Sequence, residues 1–87
     1  MKYTVIWTRT AEQELVNLWL DASQRAEITQ AAHAIDRALA NDPETKGESR
    51  RGGRRILVEP PMAALVRVVA PDRMVRVLHV WRISARA

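Results

Sequence analysis

The residues of this chain that are best suited to chemistry lie in its last two predicted strands. Three arginines, Arg67, Arg76 and Arg82, stand there, and His79 lies between two of them. Guanidinium groups bind phosphate and carboxylate groups through paired hydrogen bonds. Histidine is the side chain best suited to proton transfer near neutral pH. The pattern therefore predicts a site for an anionic group, with His79 as the candidate acid or base.

Charge is divided unevenly along the chain. Residues 1–45 hold four cations and seven acids, a net charge of −3, whereas residues 46–87 hold ten cations and three acids, a net charge of +7. A basic half of this kind favours an anionic partner, such as nucleic acid, an acidic protein segment or both. Trp81 could add a ring that stacks on a base. Further candidates for such a basic surface lie in or beside the loop before the strands: Arg50, Arg51, Arg54 and Arg55.

The composition limits the class of protein. A chain of 87 residues, 47% of them hydrophobic, predicts one globular domain, 1–87. The absence of cysteine excludes disulfides, thiolate metal sites and cysteine nucleophiles. Because no histidine and acid spacing suits a metal and no glycine-rich phosphate loop precedes a helix, we expect no metal and no cofactor. Neither a signal peptide nor a long apolar run is present, which favours a cytoplasmic protein without membrane contact.

The first half of the chain predicts one strand and two helices. Tyr3 to Trp7 is typical of a short strand. Thr10, with Gln13 three residues later, has the spacing of a capping box, and apolar residues follow at helical intervals. We expect Ser23 to cap the second helix and residues 41–43 to end it.

The second half predicts a polar loop and three strands. Residues 42–53 are expected to form the loop, and the strands are expected at 54–59, 63–69 and 74–83. Connections this short favour an antiparallel meander. The element order is then β-α-α-β-β-β. This order predicts an α+β fold in which both helices pack on one face of a small, mainly antiparallel sheet.

Strand periodicity predicts which side chains lie on the face that the helices leave open. Val66, Val75 and Val77 are expected in the core, so Arg67 and Arg76 should share the open face. The same count assigns three more charged residues to that face: Arg55, Glu59 and Arg82. His79 alternates with the core valines and is expected on the helix-packed face unless a bulge redirects it.

The order of elements and four short motifs resemble the RelE/ParE superfamily, the small toxins of bacterial type II toxin–antitoxin systems, which include plasmid-stabilisation toxins. The motifs are Val5-Ile6-Trp7 followed by Thr10-Ala11-Glu12-Gln13-Glu14-Leu15; Arg54-Arg55-Ile56-Leu57; Leu65-Val66-Arg67-Val68; and Val75-Arg76-Val77-Leu78-His79-Val80-Trp81-Arg82. The resemblance implies a cytoplasmic toxin that a cognate antitoxin holds inactive in a hetero-oligomer. The C-terminal segment of the antitoxin would wrap the toxin and cover its basic surface.

The resemblance implies one of two activities. RelE-like toxins cut messenger RNA in the ribosome without a metal, which requires a base, an acid and cations around the phosphate. The candidates here are Arg67, Arg76, Arg82 and His79, with Glu59 as a possible base. RelE-like enzymes also place an arginine where this chain has Ala63, and they often end in a tyrosine, whereas the only tyrosine here is Tyr3.

ParE-like toxins inhibit DNA gyrase and are not nucleases. Because the cleavage residues form an incomplete set, the sequence favours the ParE-like activity. The alternative is a ribosome-dependent messenger RNA endoribonuclease, so the question of whether the chain is an enzyme stays open at this point. A second alternative is an inactive toxin relic or a basic binding module.

Overall fold

Two helices pack on one face of a five-stranded sheet. The structure is a computed structural model, and it describes residues 2–83. The elements are β1 (Thr4–Trp7), α1 (Arg9–Asp21), α2 (Arg25–Asn41), β2 (Glu48–Ser49), β3 (Arg54–Glu59), β4 (Met62–Val69) and β5 (Met74–Arg82). The sheet order is β1-β5-β4-β3-β2; β1 is parallel to β5, and the other pairs are antiparallel. The predicted α+β class is confirmed.

The loop predicted for residues 42–53 contains regular structure. Pro43–Thr45 forms a single 3₁₀ turn, Arg51–Gly53 forms a tight turn in which Gly52 and Gly53 have positive φ, and β2 lies between the two turns. Although β2 has only two residues, it pairs with β3 and adds a fifth strand at the edge of the sheet. A strand of two residues has no detectable period in the sequence, so periodicity does not predict it.

Both helices begin close to, but not at, the predicted caps. Thr8, not Thr10, caps α1, because its hydroxyl oxygen accepts a hydrogen bond from the Ala11 amide at 3.2 Å. The same hydroxyl donates to the carbonyl oxygen of Val77 at 2.8 Å, so one side chain both starts α1 and fastens it to β5. Gln24 precedes α2 without a side-chain cap, so the prediction of Ser23 was wrong by one residue.

The core lies between the helices and the inner face of the sheet. The predicted apolar stripe of α2 is buried along its whole length, and the valines expected in the core are fully buried. The strands and helices contribute these buried residues: Ala11, Ile28, Ala31, Ile35, Leu39, Leu57, Met62, Ala64, Val66, Val75, Val77 and Val80. The inner face is therefore apolar, and it fixes which side of each strand faces away from the helices.

A β-bulge interrupts the pairing of β4 with β5. Leu65 pairs with His79, but the next residue of β4, Val66, pairs with Val77. Leu78 is therefore an extra residue on β5 with no partner on β4. An extra residue of this kind reverses the alternation of side chains beyond it, so the last four residues of β5 point opposite to a simple count.

The turn before β2 depends on a glycine. Gly47 has φ +65°, and a Cβ atom at this position would overlap the carbonyl of Ile56. We expect Gly47→Ala to lower the free energy of unfolding by about 1–3 kcal/mol for the backbone strain alone, with the steric overlap adding to the loss. Urea denaturation followed by circular dichroism measures this change.

Gly52 provides the matched control for that prediction. It has φ +72°, but a Cβ atom there would meet only the Arg67 side chain, at 3.6 Å from Nη2. Gly52→Ala should therefore cost clearly less stability than Gly47→Ala. Equal losses for the two variants would contradict the steric explanation at Gly47.

Candidate functional site

Three arginines from adjacent strands lie in one row across the open face of the sheet. Arg54 pairs with Arg67, and Arg67 pairs with Arg76, on the face opposite the helices. Cross-strand partners have Cα atoms about 5 Å apart, so the three side chains leave the sheet along a line of about 10 Å. We call Arg54, Arg67 and Arg76 the arginine row. Within residues 2–83, no acidic side chain forms an ion pair with any of the three.

The turn at residues 51–53 borders the arginine row. Nε of Arg54 donates to the carbonyl oxygen of Arg51 at 2.9 Å, and the guanidinium of Arg67 lies beside Gly52. Arg50 is less available, because it forms an ion pair with Glu48 at 2.9 Å. Of the four arginines predicted in or beside the loop, Arg50, Arg51, Arg54 and Arg55, only Arg54 belongs to the arginine row.

Arg55 and Glu59 do not lie on the open face, so both predictions were wrong. Arg55 pairs with Val66 and Glu59 pairs with Met62, and both partners are buried under the helices. The guanidinium of Arg55 donates to the carbonyl oxygens of Lys46 and Gly47, which ties the preceding loop to β3. The alternation of side chains along β3 was assigned one residue out of phase. Both faces of this strand carry charged residues at its ends, so alternation alone does not fix the phase.

Arg82 and His79 exchange the faces that were predicted for them, because both follow the bulge. Arg82 pairs with Met62 on the helix side, where it lines a surface cavity with Leu18 and Asp21 of α1. His79 pairs with Leu65 and so joins the open face, one row along from Arg67. In contrast to the prediction, the open face therefore lacks Arg82 and includes His79, the only histidine of the strands.

A carboxylate from α1 holds His79. Nδ1 of His79 lies 3.1 Å from Oε2 of Glu14, and the two side chains are 52% and 35% exposed. Oε1 of the same carboxylate accepts the amide hydrogen of Val80 at 3.0 Å. An ionised carboxylate can only accept, so Nδ1 is the donor, and Nε2 makes no hydrogen bond within residues 2–83. Glu14 thus binds both the backbone and the ring at the bulge.

Glu14 has no role in the site predicted from the sequence, so this contact was missed. One signal could have identified it. Glu14 lies three residues after Ala11 and four before Leu18, which places it on the apolar stripe of α1. A charged residue on a buried stripe needs a polar partner in the layer below. Here the partners are the His79 ring and the Val80 amide, which lie at the edge of β5 beyond the end of β1.

The other end of the open face is apolar. Val58, Ala63 and Trp81 form one row across β3, β4 and β5. Val58 is 52% and Trp81 38% exposed, whereas Ala63 is buried. Along the strands, the open face therefore has an apolar row at one end, a middle row of Ile56, Leu65 and His79, and the arginine row at the other end. Trp81, the candidate ring for stacking on a base, therefore lies on the open face.

The remaining aromatic residues lie elsewhere. Trp7 faces the helices, where its indole donates to Asp36 at 3.2 Å. Trp19 is 39% exposed and has the Arg25 guanidinium 4.4 Å from its ring centroid. Tyr3 packs against the core, and its hydroxyl donates to Glu44. Burial and this hydrogen bond raise the pKa of Tyr3. Tyr3 cannot reach the open face.

The arrangement can bind an anionic group and accept a proton. Guanidinium groups of the arginine row can hold a phosphate, and Nε2 of His79 can take a proton from a group bound beside it. Within residues 2–83, no three histidine or acidic residues are grouped as metal ligands would be. Neither α1 nor α2 has the length and apolar character needed to cross a membrane.

Comparison of the coordinates with solved structures gives strong matches over nearly the whole chain. The toxin–antitoxin complex RelBE2 from Mycobacterium tuberculosis contains a chain that is 24% identical, with TM-score 0.76 and coverage of 94% of this chain and 99% of the other. A chain of the chromosomal ParDE toxin–antitoxin system from Pseudomonas aeruginosa is 19% identical, with TM-score 0.64 and coverage of 95% and 98%.

The same fold also occurs as part of a larger protein. TrmO from Pseudomonas aeruginosa is 24% identical with TM-score 0.64, and the match covers 92% of this chain but 35% of TrmO. A scan against protein-family models found no match, and a search of the curated proteins found none. Identities of this size establish the fold and not the activity. The chain therefore has the fold of the RelE and ParE toxins, as the resemblance of its sequence to that superfamily led us to expect.

Proposed function

We propose that this chain is the toxin component of a type II toxin–antitoxin module and acts in the cytoplasm. Two observations support the proposal. The match to the RelBE2 chain covers 94% of this chain and 99% of the other, and the match to the ParDE chain covers 95% and 98%. The open face also carries the arginine row, which is the kind of surface that an acidic antitoxin segment or a nucleic acid would cover.

The partner implied by this proposal is an antitoxin segment that is both acidic and apolar. Carboxylates would pair with the arginine row, and an apolar side chain would cover Val58 and Trp81 at the other end. Segments of this kind fold on binding. Opposite charges increase the rate of association, and apolar side chains that become buried stabilise the complex. Covering the open face would block any reaction at His79.

Of the two activities, the geometry supports RNA cleavage better. The observation that carries this choice is the bulge, which places His79 on the same face as the arginine row. In the reaction, Nε2 takes the proton of a ribose 2′-hydroxyl, and the 2′-oxygen bonds to phosphorus. The bond from phosphorus to the 5′-oxygen then breaks, and that oxygen takes a proton from the solvent. The arginine row stabilises the charge that develops on the phosphorane.

Inhibition of DNA gyrase is the second candidate, and a specific observation favours it. Ala63 stands where the RelE-like pattern has arginine, and it is buried between Val58 and Trp81. Within residues 2–83, His79 is the only histidine on the open face, and Glu59 lies on the other side of the sheet. The face therefore offers a base but no second group to protonate the leaving oxygen.

Induced expression in a bacterial host tests the proposal and separates its forms. We expect growth arrest, cut messenger RNA with new 5′-hydroxyl ends, and recovery when an adjacent reading frame with an acidic amphipathic tail is expressed as well. Arrest with DNA breaks and intact RNA would identify the gyrase activity instead. Growth without arrest would show that the chain is a relic or a binding module and would overturn the proposal.

A further inference from the structure

We infer that Glu14 is a positioning residue that fixes the tautomer of His79, so that Nε2 is the proton acceptor on the open face. This inference rests on the proposed RNA cleavage for its function, although its physical content can be measured without RNA. It starts from one observation. The two oxygens of a single carboxylate contact adjacent residues of β5, the ring of His79 and the amide of Val80.

The contact to Val80 fixes the position of the carboxylate. β1 ends at Trp7, so beyond that point no strand pairs with the outer edge of β5. Oε1 of Glu14 accepts the free amide hydrogen of Val80 at 3.0 Å, where a strand partner would otherwise bind. α1 is fastened to the same strand through Thr8, whose hydroxyl donates to the carbonyl of Val77. The carboxylate is therefore held at both the helix and the strand.

The contact to His79 fixes the proton on the ring. Oε2 lies 3.1 Å from Nδ1, and a carboxylate has no hydrogen to donate. The neutral ring must then carry its hydrogen on Nδ1, which leaves the lone pair on Nε2. Free imidazole side chains in water prefer the opposite tautomer. A carboxylate that orients a histidine in this way is a recurring means of making its second nitrogen a base.

A purely structural role for Glu14 is the competing explanation. In that case the carboxylate would only satisfy the amide of Val80, and the ring would be a passive neighbour. Glu14→Gln separates the two roles. The amide oxygen of the glutamine can keep the bond from Val80, but its nitrogen must then donate to Nδ1, which drives the ring hydrogen to Nε2.

Nitrogen-15 NMR of the full chain with the neutral ring gives the decisive readout. We expect the hydrogen of His79 on Nδ1 in the unaltered chain and on Nε2 in Glu14→Gln, with unchanged hydrogen exchange at the Val80 amide. RNA cleavage should fall by at least about 10-fold in the same variant, because loss of a carboxylate behind a histidine costs about 10- to 100-fold at metal sites and about 10⁴-fold in a Ser-His-Asp triad. Glu12→Gln, at an exposed position of the same helix, should change neither readout.

Two results would overturn the inference. One is a hydrogen on Nε2 in the unaltered chain, and the other is a hydrogen that stays on Nδ1 in Glu14→Gln while the Val80 bond persists. The first result is measured on the unaltered chain, so the inference can be tested even if Glu14→Gln folds poorly. If the unaltered chain cuts no RNA, the proposed activity fails, whereas the NMR spectra still decide whether Glu14 orients His79.

Discussion

Arg67→Glu combined with Arg76→Glu is expected to abolish growth arrest and to prevent binding of single-stranded RNA at moderate salt. The two side chains are exposed, adjacent in the arginine row and without an acidic partner within residues 2–83. The change removes two phosphate contacts and adds two charges that repel phosphate. Each lost phosphate contact should make the plot of log affinity against log salt concentration less steep by about 0.7, so loss of both contacts should reduce its steepness by about 1.4.

The matched control for this prediction reverses two cations on the helices. Arg9→Glu combined with Arg37→Glu changes the net charge equally, and both residues are exposed on α1 and α2. Toxicity and the salt slope should change little in this control. Equal losses in the two double variants would show that total charge, and not the arginine row, determines binding. Circular dichroism of both variants checks that the fold is retained.

His79→Ala is expected to reduce RNA cleavage by about 10²- to 10⁴-fold, the range that general acid–base catalysis contributes. RNA binding should remain close to normal, because the arginine row supplies the phosphate contacts. Cleavage is measured by mapping 5′-hydroxyl ends after induced expression. The loss should appear in the rate and not in the affinity, which distinguishes a proton-transfer role from a binding role.

His33 is the natural control, since it is the only other histidine in the chain and lies exposed on α2. His33→Ala should leave growth arrest and RNA cleavage unchanged. Full cleavage in His79→Ala would remove the base from the proposed mechanism. Growth arrest that persists in His79→Ala with intact RNA would favour the gyrase candidate, for which Ala63 is the supporting observation.

The fold could be predicted from the sequence because its periodic elements are strongly amphipathic. The stripe of α2 and the alternating valines of β4 and β5 identify the buried surfaces without knowledge of the partner elements. Arg67 and Arg76 follow directly, since both precede the bulge and alternate with buried valines. Local periodicity therefore predicts two of the three residues of the arginine row, Arg67 and Arg76.

The misplacement of His79 and Arg82 depends on contacts between distant parts of the chain. The bulge at Leu78 coincides with the end of β1, where Thr8 and Glu14 bind the edge of β5 in place of a strand. No pattern within residues 74–83 signals that change, yet it reverses the faces of His79 and Arg82. The candidate site could therefore be predicted only up to the bulge.

The register of β3 could not be predicted for a different reason. Charged residues stand at Arg54, Arg55 and Glu59, so both faces of the strand carry charge and alternation does not choose between them. Arg55 is satisfied by the carbonyls of Lys46 and Gly47, which only the fold brings together. A half-buried arginine with backbone partners, such as Arg55, and an exposed arginine of the open face, such as Arg67, look alike in a sequence.

The three tryptophans provide the most direct test of the claim that the open face contacts the target. Their indole N–H signals report three surfaces: Trp81 on the open face, Trp19 exposed on α1, and Trp7 bonded to Asp36. A single-stranded RNA with 2′-O-methyl groups cannot be cut, so it can be titrated against the nitrogen-15-labelled chain at low salt. We predict that the Trp81 signal shifts while those of Trp7 and Trp19 stay in place. A shift of Trp19 with Trp81 unmoved, or no shift at all, would contradict the claim.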